Sequence, residues 1–123
     1  MILVYVAGKY TGRTFADIDR NIKTADALGQ EIVWRYGKEG VFVSIPHNNT
    51  PLHWEGIQSP EWFYEATMEL LKRCDAMIYV PDHEYKSLGT KNEIAYCKRV
   101  SKAYFRGDEE GFKEFEQWLK MTQ

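Results

Sequence analysis

The chain of 123 residues is 44% hydrophobic and 28% charged, and its formal net charge is −2 without any block of basic residues. These values are typical of one globular domain, residues 1–123, and they exclude the basic surface that holds duplex nucleic acid. No apolar run reaches the length of a membrane span or a signal peptide, and Cys74 and Cys97 have apolar neighbours. We therefore expect a soluble cytoplasmic protein with buried, reduced thiols and no membrane contact.

A predicted strand at residues 2–7 leads into a loop that contains glycines and positive charge. Gly8 and Gly12 permit close approach of a ligand to the backbone, Arg13 adds positive charge, and a long amphipathic helix is predicted over residues 15–32. The spacing matches neither the G-x-G-x-x-G pattern nor the Walker A pattern, so it predicts neither a dinucleotide nor a triphosphate site. The ordinary alternative is a tight turn at Gly8 and a solvent-exposed charge at Arg13.

The second predicted strand, residues 41–43, is followed by a long polar loop over residues 46–60. His47 comes early in this loop, and we expect it at the carboxyl edge of the sheet, where it either contacts a ligand or is an ordinary exposed histidine. His53 and Trp54 lie further along the loop. Because the chain has three histidines and no typical ligand spacing, no metal site is predicted.

Ser59 and Pro60 are a strong helix start, as N-cap and first-turn proline, and the helix leads to a third strand at residues 76–80. A helix at residues 90–100 and a short strand at residues 103–105 follow. After a turn comes a closing helix whose apolar face is formed by Phe112, Phe115, Trp118 and Leu119. This alternation predicts an α/β fold, a Rossmann-like parallel sheet of four to five strands with helices on both faces.

The segment after the third strand is the most informative part of the sequence. Ser87 and Gly89 precede the predicted helix, and Glu93 follows one turn after the glycine. A helix N-terminus favours anions, so these residues can hold a phosphate at Ser87 and Gly89 and keep Glu93 ionised, as a carboxylate nucleophile requires. The structural alternative is a capping box, in which Glu93 only reaches back to the N–H of Thr90. In that alternative Ser87 is an ordinary turn residue and Gly89 a left-handed turn position.

Four short marks occur along the chain in a characteristic order. They are Ala-Gly-Lys-Tyr-Thr-Gly at residues 7–12, Pro-His at 46–47, Arg-Cys-Asp-Ala at 73–76 and Ser-x-Gly-x-x-x-Glu at 87–93. Over residues 1–105 the sequence resembles the nucleoside 2-deoxyribosyltransferase-like superfamily. That superfamily includes deoxyribosyltransferases, 2′-deoxynucleoside 5′-monophosphate N-hydrolases and a branch of short bacterial and phage proteins.

The resemblance implies a role for each matching residue. Glu93 falls on the nucleophile, which attacks the anomeric carbon of the sugar and forms a glycosyl ester. Ser87 and Gly89 fall on the segment that binds the sugar 5′ end, where the hydrolases hold a phosphate, and Gly8 and Tyr10 fall on the loop that lines the nucleobase pocket. The expected substrate-binding set is Gly8, Tyr10, Arg13, His47, Ser87 and Gly89, without a metal or organic cofactor.

One position departs from the family pattern. The active enzymes carry an aspartate two helical turns before the third mark, and the residue at this position is Thr67. Helical spacing directs Glu65 and Glu69 away from the face of Thr67. Asp82 or Glu84 could supply the missing carboxylate, and the alternative is that both lie in a solvated turn. The resemblance favours an N-glycosidase or deoxyribosyltransferase, and Thr67 favours the alternative, a nucleotide-binding module without turnover.

Aromatic side chains are frequent in the second and the last predicted helix. Some of them should remain outside the core of a domain of this size, and large apolar patches usually mark an interface. We therefore expect a homodimer through some of Trp62, Phe63, Tyr64, Phe112, Phe115 and Trp118. The alternative is that both helices pack on the sheet with one face each.

Overall fold

The computed structural model describes residues 1–49, 54 and 56–122. The strands are β1 Ile2–Ala7, β2 Val41–Ser44, β3 Ala76–Tyr79 and β4 Ala103–Arg106. The helices are α1 Phe15–Tyr36, α2 Pro46–Asn49, α3 Pro60–Arg73, α4 His83–Lys86, α5 Leu88–Val100 and α6 Glu109–Thr122, with a 3-10 turn at Gly37–Glu39.

The four strands form one sheet in the order β2-β1-β3-β4, and all neighbours are parallel. The predicted α/β fold with a parallel sheet is confirmed, with four strands in the described part of the chain. The chain leaves β1 toward β2 and then returns across β1 to form β3. The loops after β1 and β3 therefore diverge at the carboxyl edge between these strands, which is where open α/β sheets bind ligands.

Helices cover both faces of the sheet, as the alternation predicts. On one face, α1 and α6 pack on apolar side chains of the strands, including Val4, Val6 and Ile78. On the other face, α3 and α5 pack around Tyr5 and Met77, together with the buried free thiols of Cys74 and Cys97. The prediction of buried thiols is confirmed.

Capping residues fix where the helices begin. Ser59 caps α3 by accepting a hydrogen bond from the N–H of Trp62 at 3.1 Å, so this predicted start is confirmed. The predicted loop over residues 46–60 is wrong at its beginning, because residues 46–49 form α2. His53 lies outside the described residues. In the part of the chain that the structure describes, no helix has both the length and the apolar character needed to cross a bilayer.

The aromatic residues of the two helices proposed as an interface have different environments. Phe112 and Phe115 of α6 are 2% and 0% exposed and belong to the core of the chain, so these two are not among the aromatic residues available for an interface. They are buried because α6 lays its apolar face on the sheet beside α1. Trp62 and Tyr64 of α3 are 50% and 41% exposed.

Candidate functional site

Glu93 and Tyr5 form a buried polar pair at the centre of the site. Glu93 lies in the second turn of α5 and is 7% exposed, while Tyr5 lies on β1 and is 1% exposed. The Tyr5 hydroxyl donates a short hydrogen bond to Oε2 of Glu93. The other carboxylate oxygen, Oε1, accepts no hydrogen bond from the described residues.

The capping-box interpretation of Glu93 is wrong. α5 begins at Leu88, and its N-cap is Ser87, whose Oγ accepts a hydrogen bond from the N–H of Thr90 at 3.1 Å. Glu93 is therefore one turn too far along the helix to cap it, and its carboxyl group turns toward the sheet instead.

Burial sets the protonation of this pair. It raises the pKa of Glu93 to about 7, and the hydrogen bond from Tyr5 offsets only part of that rise. Glu93 is thus about half ionised at neutral pH, because desolvation outweighs the favourable effect of the helix N-terminus in the second turn. Burial and the nearby Glu93 charge raise the pKa of Tyr5 well above its usual value, so Tyr5 keeps its proton and donates it in the hydrogen bond.

The start of α5 combines backbone donors with small polar side chains. Ser87 uses its oxygen as a helix cap, which leaves its own O–H proton available for a ligand. Gly89 lies in the first turn with ordinary helical geometry, so the alternative of a left-handed turn at Gly89 is wrong. Thr90 is fully buried, and its Oγ1 has no hydrogen-bond partner in the described part of the chain. An unpaired buried hydroxyl of this kind calls for a water or ligand partner.

The loop after β1 packs tightly against the loop after β3. A Cβ at Gly8 would lie 2.9 Å from Cγ2 of Val80 and 3.3 Å from Nδ1 of His83, so only glycine allows this approach. The backbone N–H of Lys9 donates a hydrogen bond to Nδ1 of His83 at 2.8 Å. Nε2 of His47 lies 3.1 Å from the Lys9 carbonyl oxygen. The two histidines therefore hold the backbone of Lys9, His83 through its N–H and His47 through its carbonyl oxygen.

His47 is buried, so the alternative of an exposed loop histidine is wrong. Burial lowers its pKa, and the neutral ring donates from Nε2 to the Lys9 carbonyl. The ring nitrogen Nδ1 is buried and has no partner among the described residues. The ring of Tyr10 lies against His47 at a centroid distance of 5.7 Å. His47 and Tyr10 thus form an aromatic wall beside the β1 loop.

Arg13 is exposed and lies on the α1 side of the same loop. It lines an open cleft of about 490 Å³ together with Lys9, Thr11, Gly12, Asp17, Arg20 and Asn21. In the described residues it makes no hydrogen bond or ion pair with α5. The structure thus brings Gly8, Tyr10 and His47 together and joins their loop to the segment that carries Ser87, whereas Arg13 belongs to a separate cationic surface.

Thr67 lies beside the hydroxyl of Tyr5, and its own hydroxyl donates to the Tyr64 carbonyl at 3.0 Å. The family position that lacks a carboxylate is therefore next to the Glu93 pair, as the resemblance implies. Of the two glutamates that flank it on α3, Glu65 is exposed and Glu69 is engaged with Lys72.

The carboxylates of the β3–α5 loop do not replace the missing one. Asp82 and Glu84 are both ion-paired with Arg106 of β4. The alternative of a solvated turn is wrong for Glu84, whose side chain is 13% exposed. Among residues 1–49, 54 and 56–122, no three histidine, cysteine, aspartate or glutamate side chains are grouped closely enough to hold a metal ion.

Three residues of this site were not identified from the sequence, namely Tyr5, His83 and Arg106. Tyr5 carried a usable signal, since it is the one polar side chain in the apolar run of residues 2–7 and a buried tyrosine needs a partner for its hydroxyl. His83 and Arg106 carried none, because Lys9 is 74 positions from His83, and Glu84 and Asp82 are 22 and 24 positions from Arg106.

Comparison with known proteins gives a likeness of fold. No protein-family model matches the sequence, and no curated protein sequence matches it. The structure is similar to a conserved protein from Enterococcus faecalis V583, with a TM-score of 0.68 and 14% identity over 86% of this chain and 62% of that chain. It is also similar to a 2-deoxyribosyltransferase from Bacillus psychrosaccharolyticus, with a TM-score of 0.57 and 18% identity over 85% of this chain and 70% of that chain.

The chain thus spans less than two thirds of the length of the Enterococcus protein. The resemblance predicted from the four sequence marks is confirmed at the level of the fold, which is like that of a nucleoside 2-deoxyribosyltransferase.

Proposed function

We propose that this protein cleaves or transfers the N-glycosidic bond of a nucleoside or nucleoside 5′-monophosphate, with Glu93 as the nucleophile. The observation that carries this proposal is the buried Glu93–Tyr5 pair near the carboxyl edge of a deoxyribosyltransferase-like fold. A carboxyl group that is buried, raised in pKa and held by a single donor is typical of a catalytic position.

In the proposed reaction, Oε1 of ionised Glu93 forms a bond to the anomeric carbon while the bond from that carbon to the base nitrogen breaks. The electron pair of the broken bond leaves with the base, which takes a proton from water. A glycosyl ester remains on Glu93. Water or a second base then bonds the anomeric carbon and loses a proton to solvent, while the ester bond to Glu93 breaks and leaves a free sugar or a new nucleoside. Tyr5 holds Oε2 and so directs Oε1 toward the sugar.

Both ends of the proposed substrate find suitable groups at this edge of the sheet. Ser87 and the free backbone N–H groups of the first turn of α5, including that of Gly89, suit a 5′-hydroxyl or 5′-phosphate. Gly8, Tyr10 and His47 suit the base, because the rings of Tyr10 and His47 lie against each other beside the β1 loop and offer an aromatic wall. Arg13 would act through long-range attraction for an anionic substrate. The residues assigned here need no metal or organic cofactor for this chemistry.

The second candidate function is nucleotide binding without turnover. It is favoured by Thr67, a hydroxyl at the position where the related enzymes have an aspartate beside the nucleophile. Both candidates use the same pocket, so they differ only in whether the base is released.

We further propose a homodimer that uses α3, because Trp62 and Tyr64 remain exposed on this helix. Large exposed aromatic residues on one helix are typical of protein interfaces. Light scattering at micromolar concentration tests the assembly, and a monomer mass would refute it.

Incubation with nucleosides and their 5′-monophosphates, followed by chromatography for the free base, tests the reaction. We expect Glu93→Gln to abolish base release, while the control Glu69→Gln, an exposed glutamate of α3, leaves it unchanged. Base release by Glu93→Gln at the wild-type rate would exclude Glu93 as nucleophile. Thermal stabilisation by a nucleotide that stays intact would favour the binding module.

A further inference from the structure

The short helix α4 has contacts to both halves of the proposed pocket. Asp82 at its N-cap and Glu84 within it reach Arg106 on β4, while His83, between them in sequence, reaches the Lys9 N–H on the β1 loop. The α4 segment is therefore held on one side by an ion-pair cluster and on the other by a single hydrogen bond.

Arg106 is the centre of that cluster. Its NH2 group lies 2.7 Å from Asp82, its Nε lies 2.6 Å from Asp108, and its NH1 group forms a short contact with Glu84. The planar guanidinium group can hold three carboxylates in fixed directions, which the single ammonium group of a lysine cannot do. The carboxylates raise the pKa of Arg106, so its charge is permanent.

The backbone at Asp82 shows that α4 is held in a specific position. Asp82 has φ of +74°, in the left-handed region that most residues other than glycine avoid. Such a conformation persists where surrounding contacts determine it, and the ion pair with Arg106 is the contact made by this side chain.

The position of α4 is transmitted to the start of α5. The N–H of Ser87 donates to the carbonyl oxygen of His83 at 2.9 Å, and Ser87 is the N-cap residue of α5. A movement of α4 would therefore shift Ser87 and the Lys9 peptide at the same time.

We propose that Arg106 and His83 are positioning residues, and that α4 is a clasp that sets the distance between the β1 loop and the start of α5. This inference rests on the proposed function, in which those two segments hold the base and the sugar 5′ end of one ligand. A ligand that spans both segments binds more tightly when their spacing is fixed, because binding of one end brings the other end close to its own site. The affinity of a ligand that contacts only one segment does not depend on this spacing.

Calorimetry with the four 2′-deoxynucleoside 5′-monophosphates and with inorganic phosphate tests the clasp. We expect Arg106→Ala to weaken monophosphate binding about tenfold or more, and phosphate binding less than about threefold. Arg106→Lys should lie between wild type and Arg106→Ala. Arg35→Ala is the matched control, since Arg35 is also partly buried and bonds two carboxylates, Glu31 at 2.9 Å and Glu109 at 2.5 Å. It should not change either affinity.

Two substitutions of His83 test whether its hydrogen bond with the Lys9 N–H is needed for ligand binding. Asparagine can place an amide oxygen near the position of Nδ1 and so keep the hydrogen bond from the Lys9 N–H, whereas the longer glutamine cannot do so in the same rotamer. We expect His83→Asn to retain monophosphate affinity and His83→Gln to lose it to the same extent as Arg106→Ala.

The NMR signal of the Lys9 amide reports on its contact with α4 in the absence of any nucleotide. It should shift, and exchange faster with solvent, in Arg106→Ala and His83→Gln but not in Arg35→Ala. An unchanged Lys9 amide in Arg106→Ala overturns the clasp, as does an equal loss of monophosphate and phosphate affinity. If wild type binds no nucleotide, the proposed function fails, and the Lys9 amide still decides whether α4 positions the β1 loop. If Arg106→Ala does not fold, Asp82→Asn, which keeps the left-handed backbone accessible, replaces it in both measurements.

Discussion

The two faces of the sheet have opposite chemistry although they share the same strands. Successive residues of β1 point to opposite sides, so Val4 contributes to the α1 and α6 face and Tyr5 to the α3 and α5 face. The first face buries an apolar core with several aromatic rings. The second face buries the hydroxyl of Tyr5 against the carboxyl group of Glu93. We conclude that the first face carries most of the stability, whereas burial of the Glu93 carboxyl group on the second face has a cost in stability.

Coverage differs between the faces as well. On the α3 side of the sheet, Leu3 and its register partner Phe42 remain 38% and 54% exposed. On the α1 side, the neighbouring residues Val4 and Val41 are 0% and 2% exposed. The face that carries the candidate site is thus the less completely packed one.

The largest effect on stability should come from the apolar face. Phe115 of α6 is 0% exposed, and its ring lies 5.0 Å from Tyr36 and 5.5 Å from Phe105. We expect Phe115→Ala to lower the free energy of unfolding by about 3–5 kcal/mol, because the lost ring leaves a cavity that its neighbours cannot fill. Urea denaturation measures this value. A loss below about 1 kcal/mol would contradict the assignment of this face as the main core.

The second prediction concerns the pH dependence that Glu93 gives to the polar face. Glu93 has a pKa of about 7 in the folded protein and an ordinary value of 4.5, so the folded state holds its proton more tightly. Below pH 4.5 both states are protonated and burial of the carboxyl group carries no charge penalty. Between pH 4.5 and 7 the unfolded chain releases the proton first, so the free energy of unfolding falls as the pH rises, by roughly 3 kcal/mol at most.

Glu93→Gln should remove this contribution, since glutamine stays neutral and can still accept the hydrogen bond from Tyr5. Denaturation of both proteins at pH 4.5 and pH 8 measures the difference. Relative to wild type, the variant should gain stability as the pH rises. Parallel pH profiles for the two proteins would show that Glu93 is not buried as a titrating group.

The two faces also differ in how far the sequence predicts them. Hydrophobic periodicity identified all four strands, and the Ser-Pro pair at residues 59–60 identified the start of α3. The long-range pairs were not accessible in this way. Glu93 and Thr90 fit a local capping box, and only the partner 88 positions away, Tyr5, decides the orientation of the carboxyl group. Likewise, burial of His47 depends on how the β1 loop packs against it, which spacing within residues 46–60 does not encode.

Removing the Tyr5 hydroxyl, the hydrogen-bond donor to Glu93, should have a moderate effect on stability. Tyr5→Phe deletes the hydroxyl that bonds Oε2 of Glu93, and we expect a loss of about 1.5–3 kcal/mol in stability where Glu93 is ionised. The pKa of Glu93 should rise further, because the hydrogen bond from Tyr5 is what lowers it. The midpoint of base release against pH should therefore move to higher pH. A midpoint at the wild-type pH would mean that Tyr5 does not set the pKa of Glu93.

The smallest expected effect on stability concerns two serines that are both N-cap residues of a helix. Ser59 caps α3 and Ser87 caps α5, each accepting a backbone hydrogen bond at 3.1 Å. Substitution of either by alanine should lower the free energy of unfolding by about 0.5–2 kcal/mol, as is typical for loss of an N-cap. The two differ in position, because Ser59 is exposed on α3 while Ser87 is at the proposed 5′ end of the ligand.

Ser87→Ala should therefore also weaken the binding of monophosphates relative to that of nucleosides. The expected loss is at most about 1.5–3 kcal/mol, the value of a hydrogen bond to a charged group. Ser59→Ala should leave that difference unchanged. Calorimetry on both variants with a nucleoside and its monophosphate separates capping from recognition. Equal affinities of wild type for the two ligands would exclude a phosphate at Ser87, and its role would then be that of a helix cap alone.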